Sequence, residues 1–186
     1  MNLKYKYILF LFLFFIPNAK GAEQIYLYKG TFSRTIKIED LYQFKITKKP
    51  SNKLKRIIQL TNLNEIELHK IITYKIDVPI KPSSRLMNSK IGEVFLNRLS
   101  KIIYPNKIVN KKLSTKAIRS GIIVSSYNNN EKINLIDFFK AYPNKNIAIN
   151  LNALNNSLKK VESLKELIEF YSDSPFKKLK DGRSST

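Results

Sequence analysis

The chain has 186 residues, with 34 Lys or Arg against 14 Asp or Glu, so its formal charge is +20. At 43% hydrophobic and 26% charged residues it can build a packed core under an ordinary charged surface, which excludes a disordered chain and a polytopic membrane protein. The absence of Cys excludes disulfides, thiol nucleophiles, haem attachment and cysteine-based metal sites.

In chain order, Lys4 and Lys6 precede an unbroken apolar run over 7–16, which Pro17 ends, and Ala19-Lys20-Gly21 follows with small residues at its first and third places. That order predicts a secretory signal peptide over 1–21, cleaved after Gly21. The run is well short of the roughly 20 apolar residues that a membrane span needs. The rest of the chain predicts a single domain over 22–172 and a disordered basic tail over 173–186.

The domain opens with a predicted hairpin over 23–38. Ile25 and Leu27 alternate with Tyr26 and Tyr28, Lys29-Gly30-Thr31 turns the chain, and Phe32, Arg34, Ile36 and Ile38 share one side of the return strand. A short helix is expected over 39–46, and Ser51 is placed to cap a second in which Leu54, Ile57 and Ile58 face inward. Asn62 with Glu65 resembles a capping box for a third helix over 63–72. Pro79 and Pro82 predict an extended connector over 76–84.

The spacing of Ile91, Phe95, Leu99 and Ile102 predicts one long helix over 89–104, stopped by Pro105. A further apolar helix is expected over 114–127 through Ala117, Ile118, Gly121, Ile122 and Val124, and a short one over 135–142 before Pro143. Ile147, Ile149 and Leu151 alternate with polar or small residues, which predicts a third strand over 146–151 beside the hairpin. An amphipathic helix over 153–171 closes the domain through Leu154, Leu158, Val161, Leu164 and Ile168. The expected class is α+β, mostly α: a helical bundle with a small two- or three-stranded antiparallel sheet.

Charge alone names no ligand. Lys supplies 28 of the 34 basic residues, and Lys, Ile and Asn make up 72 of 186, the outcome of A/T-rich codons. Dedicated phosphate readers exploit the guanidinium fork, and Arg is scarce, so the sequence argues against nucleic acid and leaves a protein partner or an anionic membrane surface. Gly30, Gly92 and Gly121 are too isolated for a phosphate-cradling loop.

Phe32-Ser33-Arg34 before Ile38-Glu39-Asp40-Leu41, then Ala117-Ile118-Arg119, Asn134-Leu135-Ile136-Asp137-Phe138-Phe139 and the run from Tyr142 to Leu151, resemble the N-terminal region of a cyanobacterial family of alpha/beta hydrolases of unknown function. The resemblance runs from about Ala22 to about Tyr171. It implies an exported protein from a cyanobacterium in which this region precedes a hydrolase domain. That chemistry needs a G-x-S-x-G elbow with an acid and a His downstream, and none of the five glycines begins one. No hydrolase residue therefore carries over to a position here.

His69, the only imidazole, follows Glu65 by one helical turn, a pair too small for a metal shell. Glu39 with Asp40 suits a helix N-terminus, and Glu162 with Glu166 a solvated helix face. Core packing is the better account of the aromatic residues in the hairpin strands, and if any surface is functional it is the one with Tyr26, Tyr28 and Arg34 and the sheet edge beside them, which form the candidate binding surface. No catalytic residue, metal ligand or cofactor is assigned. The reading is an exported, non-catalytic interaction module of the periplasm or thylakoid lumen, and the alternative is a hydrolase-type enzyme with an unconventional or shared active site.

Overall fold

Alternating apolar and tyrosine residues produce β1 (Gln24–Lys29), which pairs antiparallel with β2 (Phe32–Lys37) across Gly30-Thr31. Gly30 takes φ 60°, a left-handed conformation that only glycine adopts without strain. The protein is described by a computed structural model over residues 21–158, Asn62 and Val109 excepted. The signal-peptide segment up to residue 20, the Asn62 cap, the last helix beyond 158 and the tail over 173–186 lie outside the described residues.

Helix α1 (Ile38–Thr47) buries Ile38, Leu41 and Phe44 on one stripe and carries Glu39 and Asp40 in its first turn, against the positive end of the helix dipole. Ser51 caps α2 (Asn52–Ile58) as its position predicts, accepting from Leu54 N at 3.2 Å. The capping box of α3 (Glu65–Thr73) is two residues later than Asn62 with Glu65. Asn64 accepts from Glu67 N at 2.9 Å while the Glu67 carboxylate accepts from Asn64 N at 2.9 Å. Both pairs have the same spacing, and the helix begins after Asn64 of the second.

The expected connector over 76–84 folds instead. Ile76–Asp77 is β3, paired antiparallel with β5 (Lys132–Ile133), and Ile80–Met87 is helix α4. Pro82 is tolerated because it is in the first turn, where backbone N–H groups have no intrahelical partner. Glu131 supplies a carboxylate to that end, accepting from Ile80 N at 2.9 Å.

The long helix expected over 89–104 is also corrected: α5 (Lys90–Leu99) ends early and Ile103–Pro105 forms strand β4. Its inward stripe is Gly92 and Leu96, whereas Ile91 is 74% exposed. Helix α6 (Lys111–Asn128) leads through β5 to α7 (Leu135–Ala141), where Asn134 and Asp137 form a second capping box. Strand β6 (Asn146–Asn150) runs directly into α8 (Leu151–Leu158).

The sheet order is β2-β1-β6-β4. The class is α+β and mostly helical, as expected, but the sheet is four-stranded and mixed, because β6 lies parallel to β1 while β4 is antiparallel to β6. Ile25, Leu27, Ile36, Ile147 and Ile149 join Phe44, Ile118, Phe139 and Leu151 in one core cluster. Ile147, Ala148 and Ile149 are all buried, so β6 shows no simple alternation of inside and outside, as befits an interior strand.

Gly92 packs its backbone against the end of α4: a Cβ there would be 2.0 Å from Leu86 O and 2.7 Å from Met87 Cα. Gly92→Ala is expected to lower stability by about 2 kcal/mol despite the better helix former, because backbone has to move. Chemical denaturation of the two proteins measures this.

Candidate functional site

Strand register decides which candidate residues share a face. Tyr26 stands opposite Thr35 and Ala148, Tyr28 opposite Ser33 and Asn150, and Tyr104 opposite Ala148. Directly opposed residues project to the same side of a sheet. Tyr26, Tyr28 and Tyr104, all half-buried, therefore share the face that carries Ala148. Tyr28 donates to the Asn106 side-chain oxygen at 2.8 Å, and Tyr26 to Gln24 at 3.2 Å. Burial raises the Tyr104 pKa, and the neighbouring Tyr28 hydroxyl raises it further.

Arg34 is on the other face. It stands opposite Leu27 and its guanidinium donates to Ser33 O at 3.1 Å, so the structure does not gather it with the tyrosines. Arg34 and the 70% exposed Phe32 instead border the outer edge of β2, the end of the sheet order. Sequence reasoning missed Tyr104 and Asn106 because Tyr104 falls within the segment read as helix and Asn106 just beyond it. The Ile103, Tyr104, Pro105 alternation is too short to reveal a strand.

The chemistry-bearing residues are dispersed. His69 is half-buried with its ring edge-on to Phe44, centroids 5.5 Å apart, and its Nε2 is 3.1 Å from Lys45 O. A carbonyl only accepts, so Nε2 carries the proton and the imidazole ties α3 to α1. Glu65 is exposed and makes no ion pair with His69 among the described residues. Glu39 accepts from Gln43 at 2.7 Å on its own helix, and Glu162 and Glu166 lie outside the described residues. Among the described residues no three His, Cys, Asp or Glu side chains cluster to hold a metal.

A hydrolase elbow needs its nucleophile where a strand turns into a helix. The β6–α8 junction has that form, but Asn150 occupies it and caps α8 by accepting from Ala153 N at 3.0 Å. An open depression of about 340 Å³ lies between β4 and α6, lined by Pro105, Ile108, Leu113, Lys116, Ala117, Ser120, Pro143 and Asn144. It offers apolar contact and no paired acid and base.

These features define a mostly helical α+β domain in which Asn64, Asn134 and Asn150 cap helices and His69 joins two of them. The sequence profile of the family described as alpha/beta hydrolase of unknown function (DUF1400) matches residues 21–150, and the chain belongs to that family. No curated protein and no solved structure matches the chain significantly.

Removing His69 is expected to loosen the α1–α3 contact. His69→Ala should reduce stability by about 1–3 kcal/mol, measured by denaturant unfolding, since the Lys45 carbonyl loses its donor. Tyr142 behaves in the opposite sense. Its hydroxyl is buried without a hydrogen-bond partner among the described residues, and burial raises its pKa well above 10.0. The stability it contributes is complete below about pH 10 and falls as the pH rises, because only the unfolded chain ionises readily there. Tyr142→Phe should keep or raise the melting temperature at pH 7 and flatten its decline above pH 10.

Proposed function

We propose that this member of the family is an exported, non-catalytic interaction domain, acting in the periplasm or thylakoid lumen by binding another protein through the hairpin. The order of basic, apolar and small residues over 1–21 supports export. The observation that carries the non-catalytic role is the placement of the sole imidazole, whose Nε2 is committed to Lys45 O beside Phe44 rather than to a serine. A serine without a base within hydrogen-bond reach is a weak nucleophile at neutral pH. Hairpin strand β2 ends the sheet and presents main-chain groups that an extended partner segment can pair with.

The family description favours one alternative, a hydrolase-type enzyme whose site is unconventional or completed by a second chain. Affinity capture from the native extract, run alongside an ester, amide and glycoside screen, separates the two. The interaction domain retains a specific protein, and Phe32→Ser with Arg34→Ala weakens retention about tenfold or more, as for an aromatic and an arginine at an interface centre. Turnover that vanishes in His69→Ala, without a captured partner, would establish the enzyme instead.

A further inference from the structure

The turn between α1 and α2 concentrates positive charge that no carboxylate balances. From Leu41 to Asn64 the sequence contains no Asp or Glu, while Lys45, Lys48, Lys49, Lys53, Lys55 and Arg56 fall within it. Lys45 is half-buried and the other five are exposed. None of the six forms an ion pair among the described residues. Glu39 and Asp40 occupy the far end of α1, and Glu65 and Glu67 the start of α3, where Glu67 is engaged by Asn64 N.

Within this cluster, Ile46 is 59% exposed. The fold holds the surface in place from below. Leu41 and Phe44 anchor α1, while Leu54, Ile57 and Ile58 anchor α2. Between them Lys48 takes φ 58° and donates its N–H to Phe44 O at 2.9 Å, and Ser51 caps the next helix. An elbow pinned in this way keeps Ile46, Lys48 and Lys49 exposed at the end of α1 and Lys53, Lys55 and Arg56 exposed on the helix that follows.

We infer that this elbow docks on an anionic lipid surface, with Ile46 entering the headgroup layer and the basic side chains lying against lipid phosphates. Clusters of four to eight basic residues are attracted to anionic bilayers, and an apolar side chain at their centre adds burial that charge alone does not supply. Five of the six are lysines, point charges that need no fixed geometry of the facing phosphates, as suits a fluid headgroup layer. An exposed isoleucine among them gains nothing against a nucleic-acid backbone. This inference goes beyond the protein-binding reading above and does not depend on it.

The test is flotation of the full chain with phosphatidylcholine vesicles, alone or carrying about 30% phosphatidylglycerol, the readout being the ratio of the two partition coefficients. Lys48→Gln, Lys49→Gln, Lys53→Gln and Lys55→Gln together should lower that ratio about a hundredfold, and high salt should lower it in the unaltered chain. Neutralising Lys90, Lys101, Lys107 and Lys111 instead, an equal change of charge at exposed sites, should lower it by less than about tenfold. Ile46→Ser should weaken binding to the anionic vesicles about fivefold while leaving its salt dependence intact. Equal losses from the two quadruple variants would overturn the inference in favour of net charge. A ratio near one for the unaltered chain, or no effect of Ile46→Ser, would also overturn it. Loss of the captured protein in the hairpin variant, by contrast, bears only on the interaction-domain reading.

Discussion

Parallel pairing of Gln24–Tyr28 with Asn146–Asn150 is the constraint on which the rest of the fold depends. It joins segments at opposite ends of the described chain, setting Ile25 against Ile147 and Leu27 against Ile149, all of them buried. Parallel neighbours cannot be linked by a tight turn, so the chain between them has to leave the sheet and return. Seven helices make that excursion, and each contributes buried residues to the one core cluster that includes these strand residues. β4, the last strand of the order, then pairs only because β6 already stands beside β1.

The same arrangement explains why the polar residues are occupied structurally. Caps at Ser51, Asn64, Ser89, Asn110 and Asn134 satisfy helix N-termini that loop packing brings near the surface. His69 joins two helices, Glu131 closes the start of a third, and Ser126 donates to Val78 O beneath the small second sheet. These donors and acceptors hold short elements together. Membership of the alpha/beta hydrolase family of unknown function coexists with a strand-to-helix junction occupied by Asn150.

Much of this was readable before any coordinates. The hairpin, α1, α2 with its Ser51 cap, α7 and β6 follow from residues whose burial pattern and caps are local in sequence. The misreadings share one cause, a local signal that long-range contact overrides. Ile91 fits a helical stripe, yet the stripe rotates so that Gly92 can approach the α4 backbone. Ile102 continues the helical period of Leu99 up to Pro105, yet pairing of Ile103 with Ile149 and of Pro105 with Ile147 draws this segment into the sheet. The candidate surface shows the same limit. Tyr26 and Tyr28 share a face by alternation alone, whereas Tyr104 joins them and Arg34 is separated from them only through cross-strand register.

Sequence by itself determined the class, the charge, the scarcity of catalytic side chains and the extent of helices such as α1, α2 and α7, because composition, periodicity and capping act over one or two turns of chain. The tertiary structure alone decided the mixed sheet, the fourth strand, the commitment of His69 to a carbonyl and the exposure of Ile46 within a basic elbow. Each of those depends on which distant segments meet. A one-residue change of strand register, or a small rotation of a helix, reassigns every side chain from one surface to another without altering any local preference.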